Sequence, residues 1–493
     1  MKQAYDHLLD QPLPEVDADQ LCEGLLRILP EAALLRSREQ MKPFECDGLV
    51  SYRNMPLAVV LPETVDQVRQ VLKLCHALAV PIVTRGAGTG LSGGALPCAN
   101  GILLVLSRLN QILEIDPEQR CARVQPGVSN LSVSVAAKPY GLYYAPDPSS
   151  QIACSIGGNV AENAGGVHCL KYGLTIHNVL KLTVLTAEGE LLEVGGVGAD
   201  SAGLDVLALL IGSEGMLGVV VEITVKLLVK PPCVSTLLTA FDSVQVAGLA
   251  VADIIAAGVV PAGLEMMDKL ALTAAEDFAH AGYPRDAAAI LLVELDGYAT
   301  EVEAEVDKVR QVLASGGATE VRLAQDDDQR ALFWKGRKSA FPAVGRLSPD
   351  YYCMDGTIPR HTIGAVLTYI GELSAAYKLP VANVFHAGDG NLHPLIMFDA
   401  NIAGEFERVE EMGGKILEKC IAVGGTITGE HGVGREKINQ MAAQFSDVEI
   451  TQFQKLKNAL DPRAVLNPGK NIPTLKRCQE YRAITQRLSA AKS

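Results

Sequence analysis

Residues 386–394, HAGDGNLHP, set two imidazoles seven positions apart in a chain that holds nine histidines. Imidazoles bind transition metals, move protons near neutral pH, or simply hydrogen-bond, and their surroundings decide which of these is open. Seven residues match two helical turns, but Gly388 and Gly390 would each cost a helix about 1 kcal/mol, and Asp389 and Asn391 favour turns. The stretch reads instead as a bend between two short buried strands, 380–385 (PVANVF) and 395–398 (LIMF). Such a bend can aim both rings at one metal, or close a hairpin on two hydrogen-bonded histidines; the pair alone is compatible with both.

The elements that carry this bend can be read from pattern. Residues 1–55 read as an N-terminal helical segment, and from Val59 strands and helices alternate. Thr64 and Gln67 form a capping-box signature for a helix whose inner face is Val65, Val68, Leu72 and Cys75, and Val80–Thr84 comes next as a buried strand. KLTVLTAEGELLEV shows two strands about a Glu-Gly turn, and Pro231-Pro232 marks a boundary after VEITVKLLV. Beyond it, STLLTAF, a helix over 244–257, AGLEMM, AAILLVEL, an amphipathic helix near 300–317 and TEVRLA predict a β-α-β-β-α-β, ferredoxin-like order. The resulting divisions are 1–55, 56–231, 232–436 and a helical C-terminal segment 437–493.

Gly88-Thr-Gly90-Leu-Ser-Gly93 matches G-x-G-x-x-G, yet the next residues are GALPCANG and then another strand, so no helix can open there as a nicotinamide site requires. RGAGTGLSGGA is therefore a loop rich in backbone N–H groups, suited to wrapping a pyrophosphate without a helix. A second such stretch, APDPSSQIACSIGGNVAENAGG (145–166), and a third, GSEGMLG (212–218), suggest an extended dinucleotide with bulky ends.

PIVTRGAGTGLSGGA, PDPSS with SIGGNVAENAGG, GSEGMLG and the closing LNPGK together resemble the FAD-binding domain of the vanillyl-alcohol oxidase (PCMH) type, in the D-2-hydroxyacid dehydrogenase branch. The resemblance covers roughly 40–475. It implies an α+β protein in which 56–231 is an FAD-binding domain of two α/β subdomains, completed by 437–493, while 232–436 is a ferredoxin-like cap. It places FAD on Arg85, Gly86, Ala87, Gly88, Thr89, Gly90, Gly93 and Gly94 of the first loop. From the second loop it adds Pro146, Asp147, Ser149, Ser150, Gly157, Gly158, Asn159, Asn163 and Gly165. Glu214, Gly215, Gly218, Val219 and Asn467 complete the set.

The same resemblance implies a divalent metal, zinc, manganese or iron, held by His386, His393 and the Glu430 of Gly-Glu-His-Gly, and marks Arg337 as the substrate-carboxylate clamp. Two imidazoles and one carboxylate leave coordination positions open, as in a catalytic site. A 2-hydroxy acid can chelate there through its hydroxyl and a carboxylate oxygen, and His431, beside a ligand, is the candidate base for the hydroxyl proton. Lys335 and Lys338 read as a solvated helix face. Branch members acting on larger diacids carry Asn where this chain has Leu395, which points to a small acid such as glycolate or D-lactate. Tyr351 and Tyr352 are candidate pocket residues, with packing the equal alternative. His168, beside a glycine pair, could suggest a covalent flavin bond, but most of the branch holds FAD without one.

Net charge −14 without basic runs argues against nucleic acid as partner. Eleven cysteines without a C-x-x-C pair exclude an intrinsic iron–sulfur cluster, and the most apolar window, 246–264, is broken by Asp253 and Pro261. No secretory h-region comes after the first Lys, so a cytoplasmic protein is expected, reaching the membrane only through partners. Electrons must then leave to an external acceptor. Resemblance to branch members that oxidise glycolate implies a second flavin-type subunit and an iron–sulfur subunit passing electrons to quinone. D-lactate or D-2-hydroxyglutarate oxidation without partners is the alternative. A metal hydrolase using His386, His393 and Glu430 would leave the glycine loops without purpose, and a flavin-bearing structural subunit would leave the candidate ligands, His431 and Arg337 without purpose. The purified protein should show a flavin absorption spectrum; a colourless protein would favour the hydrolase.

Overall fold

The computed structural model describes residues 15–198 and 203–490. They form two compact units. One comprises Gly166–Gly173 and Pro231–Glu430, and the other takes the described residues up to Gly165, Leu174–Lys230 and those from His431 onward. Beside the expected 232–436 division there are two differences: the chain leaves this unit at Glu430, and a short upstream segment joins it. Two acids explain the second difference. Lys171 Nζ lies 2.5 Å from Asp296 Oδ1, Tyr172 donates to Asp296 Oδ2 at 2.6 Å, and His168 Nε2 lies 3.1 Å from Glu294 Oε1.

The described residues of the unit holding the glycine loops form two larger sheets and a two-stranded pair, 142–143 with 228–229. Residues 34–35, 58–60, 102–105 and 82–85 lie side by side in that order, with the last three strands parallel, and a five-stranded antiparallel sheet has the order 112–116, 121–124, 219–226, 179–185, 191–195. Thr64 and Gln67 do cap the helix Val65–Leu78, which buries Val68, Val71, Leu72 and Cys75 against the first sheet. Each such side chain contributes about 1.5–3 kcal/mol when fully buried. Near the C-terminus the chain runs parallel to Ile82, whose N–H donates to Val465 O at 2.7 Å and whose carbonyl accepts from Asn467 N at 2.7 Å. RGAGTGLSGGA forms no helix, and the next regular element is the strand Ile102–Val105. The second loop departs from expectation: Gly157 and Gly158 lie in the first turn of a helix, Ile156–Glu162, because Ser155 Oγ accepts from Gly158 N at 3.3 Å and caps it.

In the other unit, seven strands form one antiparallel sheet. We number them β1 (Cys233–Phe241), β2 (Gly263–Asp268), β3 (Ala289–Gly297), β4 (Glu320–Leu323), β5 (Asp350–Cys353), β6 (Val381–His386) and β7 (Pro394–Phe398). Their order is β4-β1-β3-β2-β6-β7-β5. The first four, with helices Val244–Ala256 and Ala299–Ser315, make the ferredoxin-like order. A helix unforeseen in the sequence, Lys269–Ala279, lies between β2 and β3; Asp268 caps it, and its buried face is Ala271, Leu272, Ala274 and Ala275. Small alanines give that face little apolar contrast.

Register decides what the sheet presents. Glu265 on β2 stands opposite His386 on β6, and Gly263 on β2 stands opposite Glu294 on β3, which in turn stands opposite Thr236 on β1. Directly opposed residues, and residues two apart on a strand, share a face, so one polar row runs Thr236, Glu294, Glu265, His386 across an otherwise apolar sheet. The helix Asp327–Lys338 brings Trp334 and Arg337, three residues apart, onto this row. Trp334 Nε1 donates to Glu294 Oε2 at 2.5 Å and Arg337 Nε to Glu265 Oε2 at 2.8 Å. Among the described residues no helix is long and apolar enough to cross a membrane.

Candidate active site

The histidine bend is the β6–β7 hairpin. Gly390 and Asn391 donate their N–H groups to His386 O at 3.1 and 3.2 Å, and Asp389 Oδ1 accepts from Asn391 N at 3.2 Å. Gly390 has φ +78°, and a Cβ there would sit 2.1 Å from Ile358 O, so no other residue fits this turn. The two rings come together with centroids 5.2 Å apart at a right angle. Both side chains are buried, and with Glu430 they present ligand atoms that all lie within 4.8 Å of one another.

The tautomers are set from behind. Glu265 Oε1 takes His386 Nδ1 at 2.7 Å, and Met354 O takes His393 Nδ1 at 3.3 Å. Each Nε2 therefore faces forward, 3.3 Å (His386) and 2.9 Å (His393) from Glu430 Oε1. Burial works against charge on His386, yet the carboxylates of Glu265 and Glu430 hold its pKa well above the ordinary imidazole value. Burial likewise pushes Glu430 upward, but the two imidazoles hold its carboxyl well below the usual range. Two forward-facing nitrogens and a carboxylate oxygen, with a proton's positive charge gathered among them, form a donor set that fits a divalent cation.

Glu430 is aimed by a residue that no sequence motif marks. Asp355 is fully buried; its carboxylate accepts from Thr428 Oγ1 at 2.5 Å and from the N–H groups of Gly429 and Glu430 at 3.1 Å. A Cβ on Gly429 would lie 2.4 Å from the Asn391 side chain, so the glycine before Glu430 lets the ligand strand pass close to the hairpin. Glu265 also lies outside the motifs. Its signal in the sequence is one carboxylate inside the apolar strand GLEMM.

Arg337 is buried at 2% exposure on the same face. Nε and Nη2 both approach Glu265 Oε2, at 2.8 and 2.6 Å, but Nη2 lacks a hydrogen-bonding angle there and has no other acceptor. His431 begins the other unit. Beyond it, Val433 N and Gly434 N each donate at 2.8 Å to the two oxygens of Glu214, so that side chain fastens the segment after His431. Tyr352 is buried and packs edge-on against Phe406; Tyr351 packs against Phe341, which in turn meets His393. Leu395 is fully buried on β7. His168 is engaged with Glu294.

The glycine loops converge. A Cβ on Gly86 would lie 2.1 Å from Ser155 Oγ and 3.6 Å from Gly158 N, one on Gly212 would lie 3.3 Å from Asn163 Cβ, and Glu214 N donates to Ala161 O at 2.8 Å. Gly88, with φ +74°, leaves room for the Arg85 guanidinium, which donates to Cys46 O and lies over Phe44. Several residues expected to contact the cofactor spend their side chains on the protein instead. Asn159 bonds Asn130 and Cys154, Asn163 Oδ1 accepts from Ile176 N, and Val219 packs in the core. Asn467, at φ +42°, donates to Gly94 O at 3.0 Å and Glu214 O at 2.6 Å and accepts from Lys470 Nζ at 2.6 Å. It knits the first and third loops together. Thr89, Gly90, Asp147 and Ser150 are half-buried and Ala87 and Ser149 exposed, while Gly93, Gly94, Pro146, Gly165, Gly215 and Gly218 are buried or partly buried loop backbone. The fit to an elongated dinucleotide rests on this close-meeting backbone, where a Cβ at Gly86 or Gly88 would collide with its neighbours.

Comparison with known proteins agrees in both halves. Residues 56–195 match the family described as FAD binding domain, and 230–471 match the C-terminal domain of FAD linked oxidases. The chain is 62% identical over 480 residues to glycolate oxidase subunit GlcD of Escherichia coli strain K12, covering 97% of this chain and 96% of the relative. It is 32% identical over 461 residues to a D-lactate dehydrogenase of Anaerostipes hadrus, covering 92% and 97%. In fold it is similar to 4-ethylphenol oxidase from Gulosibacter chungangensis, with TM-score 0.79 at 16% identity over 94% of this chain and 100% of that one.

Replacing Asn467 with Ala would remove its bonds to two loop carbonyls and one of the bonds of the buried Lys470 ammonium, which keeps Leu96 O. Denaturant titration should show a loss of about 3 kcal/mol, together with faster FAD release; unchanged stability would mean the loops hold without it.

Proposed function

Because the chain belongs to the FAD linked oxidases, we propose that it is the flavin-carrying catalytic subunit that oxidises glycolate to glyoxylate. The observation that carries the reading is the convergence of buried His386 and His393 on the partly buried Glu430, with Arg337 on the same sheet face. When bound, FAD accepts the C2 hydride at N5, and a divalent cation supplies Lewis acidity to the substrate hydroxyl and one carboxylate oxygen. His386 and His393 would hold that cation through Nε2, and Glu430 through Oε1. Arg337 offers Nη2 to the substrate carboxylate from a buried position, where a charged hydrogen bond is strong. His431 accepts the hydroxyl proton on its imidazole as hydride leaves, so the substrate loses one proton and one hydride. The 2-electron product is the 2-oxo acid.

Glycolate is favoured by the 62% identity, and by Leu395, which is buried in β7 where it offers no polar contact to a longer diacid. D-lactate is the second reading, supported by the dehydrogenase relative of Anaerostipes hadrus. Reduced flavin needs an outlet. The relative's designation as a subunit supports partner subunits; a flavin-type and an iron–sulfur subunit would carry the electrons onward to quinone at the membrane.

His393→Ala should abolish dye-coupled glycolate oxidation and metal content while leaving FAD bound in full; loss of FAD alongside activity would contradict the division between loops and hairpin. Arg337→Lys loses the planar fork and should lower kcat/KM for glycolate by about 1–3 kcal/mol, roughly 5- to 150-fold. Unchanged efficiency would remove Arg337 from the substrate site.

A further inference from the structure

The cation ligands and the anion clamp share one carboxylate that belongs to neither set. Glu265 is 1% exposed in the middle of β2, with Leu264, Met266 and Met267 as neighbours. An acidic side chain so placed survives only if both oxygens are fully engaged. They are: Oε1 with His386 Nδ1 at 2.7 Å, Oε2 with Arg337 Nε at 2.8 Å.

We propose that Glu265 is a positioning residue that joins the cation-binding edge of His386 to the anion-binding edge of Arg337. The inference rests on the reading of this site as a metal and 2-hydroxy acid site. Its geometry is directional at both ends. Accepting from Nδ1 forces the imidazole to present Nε2 toward Glu430, which a histidine free to flip would not do. Accepting from Nε, with Nη2 2.6 Å from the same oxygen, anchors one edge of the guanidinium and leaves the outer N–H of Nη2, which makes no hydrogen bond of its own, for an entering anion. The strand register makes the link rigid, because Glu265 and His386 are opposed Cα partners in the sheet. A glutamate is needed for its length. Aspartate would withdraw the carboxylate by one methylene from two partners whose backbones are fixed in β6 and in the helix Asp327–Lys338.

The test uses the FAD-loaded protein and two variants, Glu265→Gln and Glu265→Asp, beside Arg337→Lys. Zn²⁺ affinity is measured by competition with a chromophoric chelator, and glycolate KM and kcat by dye reduction. Both Glu265 variants should retain FAD, bind Zn²⁺ about 10- to 100-fold more weakly, and show a raised glycolate KM. Arg337→Lys should raise KM with Zn²⁺ affinity unchanged. In the double variant Glu265→Gln/Arg337→Lys the rise in KM should fall short of the product of the two single rises, since both act through one guanidinium. Wild-type Zn²⁺ affinity in a folded Glu265→Asp protein overturns the proposal, and so does a fully multiplicative double variant. If Glu265→Gln does not fold, Glu265→Asp alone carries the same two readouts. Absence of Zn²⁺ uptake by the unmodified protein would instead sink the metal reading; an unchanged KM in Glu265→Asp would then overturn the positioning of Arg337 as well.

Discussion

The opposition of Glu265 and His386 across β2 and β6 is the constraint on which the polar row of the seven-stranded sheet depends. Three groups that carry charge, Glu265, Arg337 and His386, are buried, Glu430 beside them is 11% exposed, and each is tolerable only beside its partner. Removing one partner of such a pair typically costs about 3–5 kcal/mol because the other remains buried and unpaired. The row is close to neutral when His386 carries its proton, two acids against two cations. A divalent ion taking the place of that proton would strengthen the attraction to both carboxylates. Glu294 repeats the device on the same face with His168, Thr236 and Trp334, and there the polar groups serve to seat the segment 166–173.

The glycine-loop unit solves a different problem. It must bring backbone N–H groups close together without burying them unpaired. Gly86 against Ser155, Gly157 against Pro126 and Gly218 against Val184 show glycine used for close approach of chain to chain, with the remaining polar side chains bracing the loops. Asn467 reaches them from the far end of the sequence because residues 465–467 run beside Ile82. Glu214 does the corresponding work for the segment after His431. Burial pushes its carboxyl up, against the Val433, Gly434 and Asn471 hydrogen bonds that favour its charged form.

The chain passes between the two units at Glu430 and His431, so a candidate metal ligand and the candidate base are consecutive residues assigned to different bodies. Asp355 holds the backbone of the first, and Glu214 holds the backbone just past the second. Two buried acids thus fix one short stretch, Thr428–Gly434, from both ends. The glycines within it are accounted for by the same crowding: Gly432, at φ +81°, would place a Cβ 2.0 Å from a Glu162 oxygen.

How much of this was legible in the sequence depended on whether the signal was local. The hairpin bend, the Thr64–Gln67 cap, the refusal of RGAGTGLSGGA to become a helix and the strands that flank both histidines are consequences of neighbouring residues, and turn chemistry and periodicity state them directly. The quoted motifs carried the candidate ligands and the candidate clamp, again as linear strings. The helix 269–279 escaped because its apolar face is mostly alanine, and Gly157-Gly158 became helical because the Ser155 cap is joined by the burial of Ile156, Asn159 and Val160. Glu265, Asp355 and the bracing roles of Asn159, Asn163 and Asn467 were decided only by tertiary structure. A carboxylate in an apolar strand announces that it must be paired, but the partner is set by strand register and helix docking, and those are fixed by burial summed over the whole sheet, which no local stretch of sequence contains.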